Sequence, residues 1–305
     1  MACPLCGMNS LPLFAGRERV AEELAMRERF FAERIDGHVD PAEMKDRTDV
    51  VHGVAAAIRS CPRCGILVRD DDGADFGGDP YAPYVMERIL HAHIHAYRRK
   101  AHLYKSLLPG GARVVEIGSY VGAFLHVASE WGWDAIGVDV GEDTAHFAAA
   151  HGYPTRHASL QEAAFDSASF DAVFIWNTFE QLDAPRSVLR EIRRVLRGDG
   201  LVVIRVPNAL FYTRTSSSIV LGHTNLLAFP HRFGYTIDAL DRLLREEGFE
   251  AVAHHGDMHI PPSHARLTAT ARREEDEVRA AIATRTDPND WPWIECVYRA
   301  TSAPR

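Results

Sequence analysis

The stretch Arg113-Val114-Val115-Glu116-Ile117-Gly118-Ser119-Tyr120-Val121-Gly122 joins a short apolar run to two glycines and then to a helical pattern over Val121 to Trp131. A strand buried on both faces reads as a nearly continuous apolar run, and helical crossovers require parallel neighbours. The alternation repeats downstream: Ala135 to Val138 before Asp143 to His151, then Phe170 to Trp176, Ser187 to Leu196 and Leu201 to Val206. This order predicts an α/β fold with a doubly wound sheet. Pro185 suits the first turn of its helix, and Gly198 and Gly200 are read as the turn into Leu201.

Further out, Tyr212 to Tyr235 has no period and contains Ser216-Ser217-Ser218 and Phe229-Pro230-His231, which suits a lid or binding segment. Thr236 is placed to cap a helix with Leu240, Leu243 and Leu244 on one stripe, ending at Gly248. Phe249 to His254 and Trp293 to Tyr298 complete the strands, with a charged helix near Arg266 to Ala283 between them. Cys296, in that last apolar run, reads as a buried inert thiol. On the N-terminal side a helix is expected from Tyr84 to Leu108, stopped by Pro109, Gly110 and Gly111. Its stripe holds Ile89, His93, Tyr97, Ala101 and Tyr104, and its many His, Arg and Lys residues read mainly as a solvated face, with contact to an anionic substrate group as the alternative.

The chain has 305 residues, 46% hydrophobic and 25% charged, which fits a globular protein with one large domain and a small one or two modest domains. Its formal charge of −8 disfavours binding to bulk nucleic acid, which rewards basic surfaces. No apolar run reaches the roughly 18 residues of a membrane span, and Met-Ala-Cys-Pro-Leu-Cys lacks the layout of an export signal. A cytoplasmic protein with no membrane partner is expected.

Four of the five cysteines fall into two like frames, Cys3-Pro4-Leu5-Cys6-Gly7 and Cys61-Pro62-Arg63-Cys64-Gly65. Two such turns complete a tetrahedral sulfur site, so Cys3, Cys6, Cys61 and Cys64 are expected to hold one structural Zn2+ in a zinc ribbon. The 54 residues between the pairs require a folded insertion, with a helix read from Arg17 to Arg34. A closed four-sulfur site has no vacant position for chemistry. The Asp- and Gly-rich Arg69 to Pro80 is read as a linker, giving domains of 1–79 (ribbon with helical insertion), 80–111 (connecting helix) and 112–305.

Ligands of doubly wound sheets bind beyond the carboxyl ends of the strands near the switch point. Gly118 and Gly122 let backbone approach a ligand there, and Glu116 adds a carboxylate. The loop departs from G-x-G-x-x-G, and Glu116 would repel a pyrophosphate but suit a cationic amino group. Asp139, 23 residues past Glu116, is placed to accept from two ribose hydroxyls, a trait common to nicotinamide and adenosine cofactors.

Glu116 to Gly122, Asp139, Phe170 to Leu182 and Gly200 to Asn208 together resemble class I S-adenosylmethionine-dependent methyltransferases, and the chain is more specifically similar to the branch with an N-terminal Cys-x-x-Cys zinc ribbon, found among bacterial sugar and natural-product enzymes. The resemblance implies a Rossmann-like seven-stranded sheet binding S-adenosylmethionine. It implies that Glu116, Gly118, Ser119, Tyr120 and Gly122 hold the methionine and ribose end, that Asp139 binds ribose and Val140 flanks adenine, that Ser159 and Leu160 match adenine-edge positions, and that Asn177 faces the methionine portion. Tyr120 replaces a glycine of the family loop, and a left-handed backbone there would cost about 1 to 2 kcal/mol. Gln181 stands where the family often has His and cannot act as a base.

The implied activity is O- or C-methylation of a small metabolite. Nucleic-acid amino groups are disfavoured because Asn177-Thr178-Phe179-Glu180 replaces the Asn/Asp-Pro-Pro-aromatic turn. Orientation of the acceptor is expected to dominate, with His231, Tyr235 and His223 as candidate catalytic groups. The rival readings are a non-catalytic binding protein on the same fold and a nicotinamide-dependent oxidoreductase. The oligomeric state is not encoded legibly.

Overall fold

The computed structural model describes residues 2–37, 56–70, 83–214, 231–258 and 266–301. In chain order the elements are β1 (Leu13–Ala15), α1 (Arg17–Ala32), β2 (Ala57–Ser60), β3 (Leu67–Asp70), α2 (Pro83–Arg98), α3 (Ala101–Tyr104), β4 (Arg113–Ile117), α4 (Ala123–Glu130), β5 (Asp134–Asp139), α5 (Glu142–Ala150), β6 (Thr155–His157) and β7 (Phe170–Trp176). They continue with α6 (Pro185–Val195), β8 (Leu196–Pro207), α7 (Ala209–Arg214), β9 (Phe233–Gly234), α8 (Ile237–Glu246), β10 (Phe249–Asp257), α9 (Ala269–Ala283) and β11 (Trp293–Ala300). Two compact units emerge: Met1–Asp79 with Pro207–Leu240 and His255–Ile294, and Pro80–Val206 with Asp241–His254 and Glu295–Arg305. Both are discontinuous, unlike the consecutive segments 1–79, 80–111 and 112–305 read from the sequence.

The second unit is built on a seven-stranded sheet of order β10-β11-β8-β7-β4-β5-β6, the doubly wound α/β fold expected. β4 pairs in parallel with β5 on one side and β7 on the other, aligning Glu116 with Gly137 and Phe174. The chain therefore leaves β4 outward to β5 and β6 and returns to β7, which places the switch point between the ends of β4 and β7. β7 explains its own centrality: all its residues but Asp171 are buried. Over it lies an aromatic core in which Phe124 meets Phe174 at 4.6 Å and Tyr97 meets Trp176 at 5.3 Å. Such tilted and edge-on pairs add about 0.5–1.5 kcal/mol each beyond their buried area.

Two sequence expectations need correction. The helix expected over Tyr84 to Leu108 is broken at Arg99-Lys100 into α2 and α3. Lys100, at the break, and Tyr104, at the end of α3, both turn to the buried Glu295 carboxylate. Gly198 and Gly200 lie inside β8 rather than in a turn. The register shifts there, with Phe170 opposite Leu196 but Ala172 opposite Leu201, so the strand absorbs surplus residues as an irregularity.

The first unit holds the four-stranded sheet β1-β2-β3-β9. β2 and β3 form an antiparallel hairpin whose connection carries Cys61 and Cys64. Ala15, Val20, Ile58, Leu67, Ala209, Phe211 and Ile282 make its core. Thr268 caps α9, its hydroxyl accepting from the Ala271 N–H. His223, Ser216-Ser217-Ser218, Phe229-Pro230 and most of the expected linker lie outside the described residues.

Candidate functional site

At the tip of β4 the backbone turns by alternation: Gly118, Tyr120 and Gly122 all have left-handed φ, at 72°, 51° and 78°. The Gly118 and Ser119 N–H groups both donate to the Val138 carbonyl, at 2.8 and 3.2 Å. A Cβ on Gly118 would stand 2.1 Å from Thr178 Oγ1, and one on Gly122 would stand 2.6 Å from the Tyr153 ring. The sequence therefore needs glycine here for conformation and for clearance. Tyr120 accepts its left-handed cost of about 1 to 2 kcal/mol because its N–H donates to Asp139 Oδ2 at 2.7 Å. A hydrogen bond to a charged group returns about 1.5–3 kcal/mol.

Asp139 ends β5 with its other oxygen accepting from the Gly141 N–H at 2.8 Å and the Thr144 hydroxyl at 3.0 Å. The carboxylate is thus aimed by the protein while Oδ2, which accepts only from Tyr120 among the described residues, keeps a further lone pair. Beside it Val140 is 73% exposed, an apolar face at the end of a strand. Glu116 is buried, and its Oε2, like Ser119 Oγ, has no hydrogen-bond partner among the described residues. Burial, then the Asp139 charge, push the Glu116 carboxyl well above the usual range.

Across the switch point, Asn177 follows β7 with φ 54°. Its N–H donates to the Arg205 carbonyl at 2.9 Å, and its Oδ1 accepts from Arg205 Nη1 at 2.6 Å. His93, on α2, lies with its ring 6.4 Å from that of Tyr120. Burial and the Arg205 charge pull its imidazole down to about 4. Ser159 and Glu162 bond reciprocally after β6, Ser159 N–H to Glu162 Oε2 at 2.9 Å and Glu162 N–H to Ser159 Oγ at 3.2 Å, while Leu160 is buried.

A family model described as Methyltransferase domain matches residues 90–254, more than half of the chain and every residue from His93 to Arg205 named above. The chain is a member of the methyltransferase domain family. An uncharacterized protein of Mycobacterium tuberculosis is 29% identical over 165 residues, covering 52% of this chain and 54% of that protein. The chain thus spans about half the length of the curated relatives it matches. Among solved structures, a complex of the Haloferax volcanii Trm112 methyltransferase activator with a methyltransferase aligns at 16% identity and TM-score 0.52, covering 71% of this chain and 93% of that one. An S-adenosylmethionine-dependent methyltransferase from Archaeoglobus fulgidus aligns at 20% identity and TM-score 0.50, covering 71% and 98%. These likenesses establish the fold.

Within the methyltransferase, the structure brings Glu116, Gly118, Ser119, Tyr120, Gly122, Asp139 and Val140 to one strand-end crevice with Asn177 across it, as the doubly wound topology requires. His231 and Tyr235 belong to the first unit and are 5% and 0% exposed. Burial and the Arg69 charge hold the His231 imidazole well below its ordinary range. Sequence reasoning missed the site residues His93, Arg205 and Glu295. Arg205 and Glu295 carried a signal, since each is a lone charge inside an otherwise apolar strand run, where charges are almost never fully buried unless paired. His93 had a weaker one, its place on the apolar stripe with Tyr97.

The four ribbon cysteines converge, their sulfurs all lying within 4.8 Å of one another. Cys3 and Cys64 sulfurs are 3.6 Å apart, and those of Cys6 and Cys61 are 3.5 Å apart. Zn–S bonds of about 2.3 Å in a tetrahedron put sulfurs about 3.8 Å apart. The two knuckles repeat one another: Gly7 N–H donates to the Cys3 carbonyl at 2.9 Å and Gly65 N–H to the Cys61 carbonyl at 2.8 Å, both glycines being left-handed. Burial raises the Cys61 thiol, but the backbone N–H groups of Cys64 and Arg63 outweigh it and bring the thiol to about 7.

Proposed function

We propose that the protein transfers the methyl group of S-adenosylmethionine to the oxygen or carbon of a small metabolite. The observation that carries this reading is the pairing of the buried, partly unsatisfied Glu116 carboxyl with the protein-aimed Asp139 carboxylate at the ends of two neighbouring strands beside one glycine crook. Glu116 and Ser119 would receive the donor's ammonium, Asp139 the ribose hydroxyls, and Val140 the adenine face, with the Ser159 and Leu160 loop at its edge.

The donor supplies an electrophilic methyl on a sulfonium. The protein's contribution is orientation, which in a near-attack arrangement supplies roughly 7 to 11 kcal/mol. A hydroxyl or carbon acid passes its proton to a neutral imidazole, for which His93 beside Tyr120 is the candidate within the second unit. We assign the four cysteines one structural zinc per chain, since a closed S4 set leaves no open position. The formal charge of −8 supports a metabolite rather than a nucleic acid as acceptor.

Titration calorimetry with S-adenosylmethionine and its demethylated product, S-adenosylhomocysteine, tests the reading. Saturable binding of both is expected, followed by transfer of labelled methyl into a metabolite extract. Binding of neither compound by folded protein overturns it.

A further inference from the structure

Beneath Asn177 lies a charged network enclosed within the second unit. Glu295 on β11 is fully buried, and its carboxylate takes Lys100 Nζ, the Tyr104 hydroxyl and, at 3.4 Å, Arg205 Nε. Arg205 on β8 then grips Asn177 twice, accepting its N–H at the carbonyl and donating from Nη1 to Oδ1. β11, β8 and β7 are successive strands of the sheet, so the chain of contacts runs straight across three neighbours. A second carboxyl, that of Glu180, also acts on Arg205, but it is fully buried and pushed up to about 8, mainly by burial. Glu295 is the carboxylate within ion-pair distance of the Arg205 guanidinium.

The consequence falls on the amide. With Oδ1 occupied by a guanidinium, Asn177 presents Nδ2, a donor, as its second polar group. No described residue accepts from Nδ2, and Asn177 is half-exposed at the switch point. Its own carbonyl is taken by Gln181 Nε2 at 2.9 Å. Resting on the donor assignment above, we propose that Glu295 is a positioning residue which, through Arg205, turns the amide nitrogen of Asn177 toward the carboxylate of the donor's methionine portion. The donor's two charged ends are then sorted: ammonium to Glu116, carboxylate to Asn177. A buried ion pair by itself is weak evidence for stability, but it holds a neighbouring group in one orientation at low entropic cost.

The test titrates the full-length protein with S-adenosylhomocysteine and with 5′-methylthioadenosine, which keeps the nucleoside and lacks the amino acid end. Asn177→Asp replaces the donor by an anion and is expected to weaken S-adenosylhomocysteine at least tenfold while methylthioadenosine stays within twofold. Glu295→Gln is expected to weaken S-adenosylhomocysteine threefold or more with the same selectivity. Should that variant not fold, Arg205→Lys keeps a cation beside Glu295, releases Asn177 and reads the same coupling. Unchanged or tighter S-adenosylhomocysteine binding by Asn177→Asp overturns the amide orientation. Equal weakening of both compounds, or none, in the Glu295 and Arg205 variants overturns the positioning role. Wild-type protein that binds neither compound overturns the donor assignment and this proposal together, a pattern distinct from any variant-specific loss.

Discussion

At the residue scale, Gly118 and Glu116 make opposite demands on the same crook. Gly118→Ala places a methyl 2.1 Å from Thr178 Oγ1 on a left-handed backbone. We expect a loss of about 2 kcal/mol or more in stability, read by thermal melts, and at least tenfold weaker S-adenosylhomocysteine binding. Glu116 has a folded-state affinity for its proton above that of the unfolded chain. Such a group leaves stability intact below the ordinary carboxyl range and removes it as pH rises toward the folded value. Glu116→Gln should therefore melt like wild type near pH 4 and higher than wild type at pH 8. The same variant should bind S-adenosylhomocysteine roughly tenfold or more weakly, because a charge-assisted bond of about 1.5–3 kcal/mol is gone. His93 is neutral above about 4. If it receives the acceptor's proton, labelled methyl transfer should fall only as pH drops through about 4, with no limb near the ordinary imidazole value.

At the element scale, the two knuckles and the cap on α9 are local devices written in local sequence. Metal analysis should find about one zinc per chain, and Cys61→Ser should lose it with several kcal/mol of the ribbon's stability, on the scale of structural zinc sites; a metal-free protein with unchanged melting would refute the assignment. Thr268→Ala should cost about 1 kcal/mol through the lost bond to the Ala271 N–H. The frame repeat, the Gly at each knuckle's end and the helix of α1 were legible because each depends on residues a few positions apart. The break between α2 and α3 was not. Its local pattern favours one continuous helix, whereas Lys100 at the break and Tyr104 after it bond Glu295, roughly two hundred residues away in sequence. The strand β8 overran its expected start for a like reason, since pairing with β7 pulled Gly198 and Gly200 into the sheet.

At the scale of the whole molecule, ligand linkage offers a check that needs no acceptor. S-adenosylhomocysteine at a hundred times its dissociation constant should stabilise the second unit by about 2.7 kcal/mol, a rise of about 5 to 10 °C in its melting temperature for a unit of this size. Among the described residues no helix is long and apolar enough to cross a membrane. By itself the sequence determined the alternating α/β order, the cysteine centre, and the strand-end carboxylates Glu116 and Asp139, because periodicity, short spacings and strand termini are properties of contiguous residues. Only the tertiary structure decided that Tyr120 keeps its left-handed turn, that His93 meets the crook, that His231 and Tyr235 are enclosed, and that Arg205 and Glu295 stand behind Asn177. Those outcomes depend on which distant groups share a buried space, where an unmet charge or hydrogen bond costs more than local preference can supply.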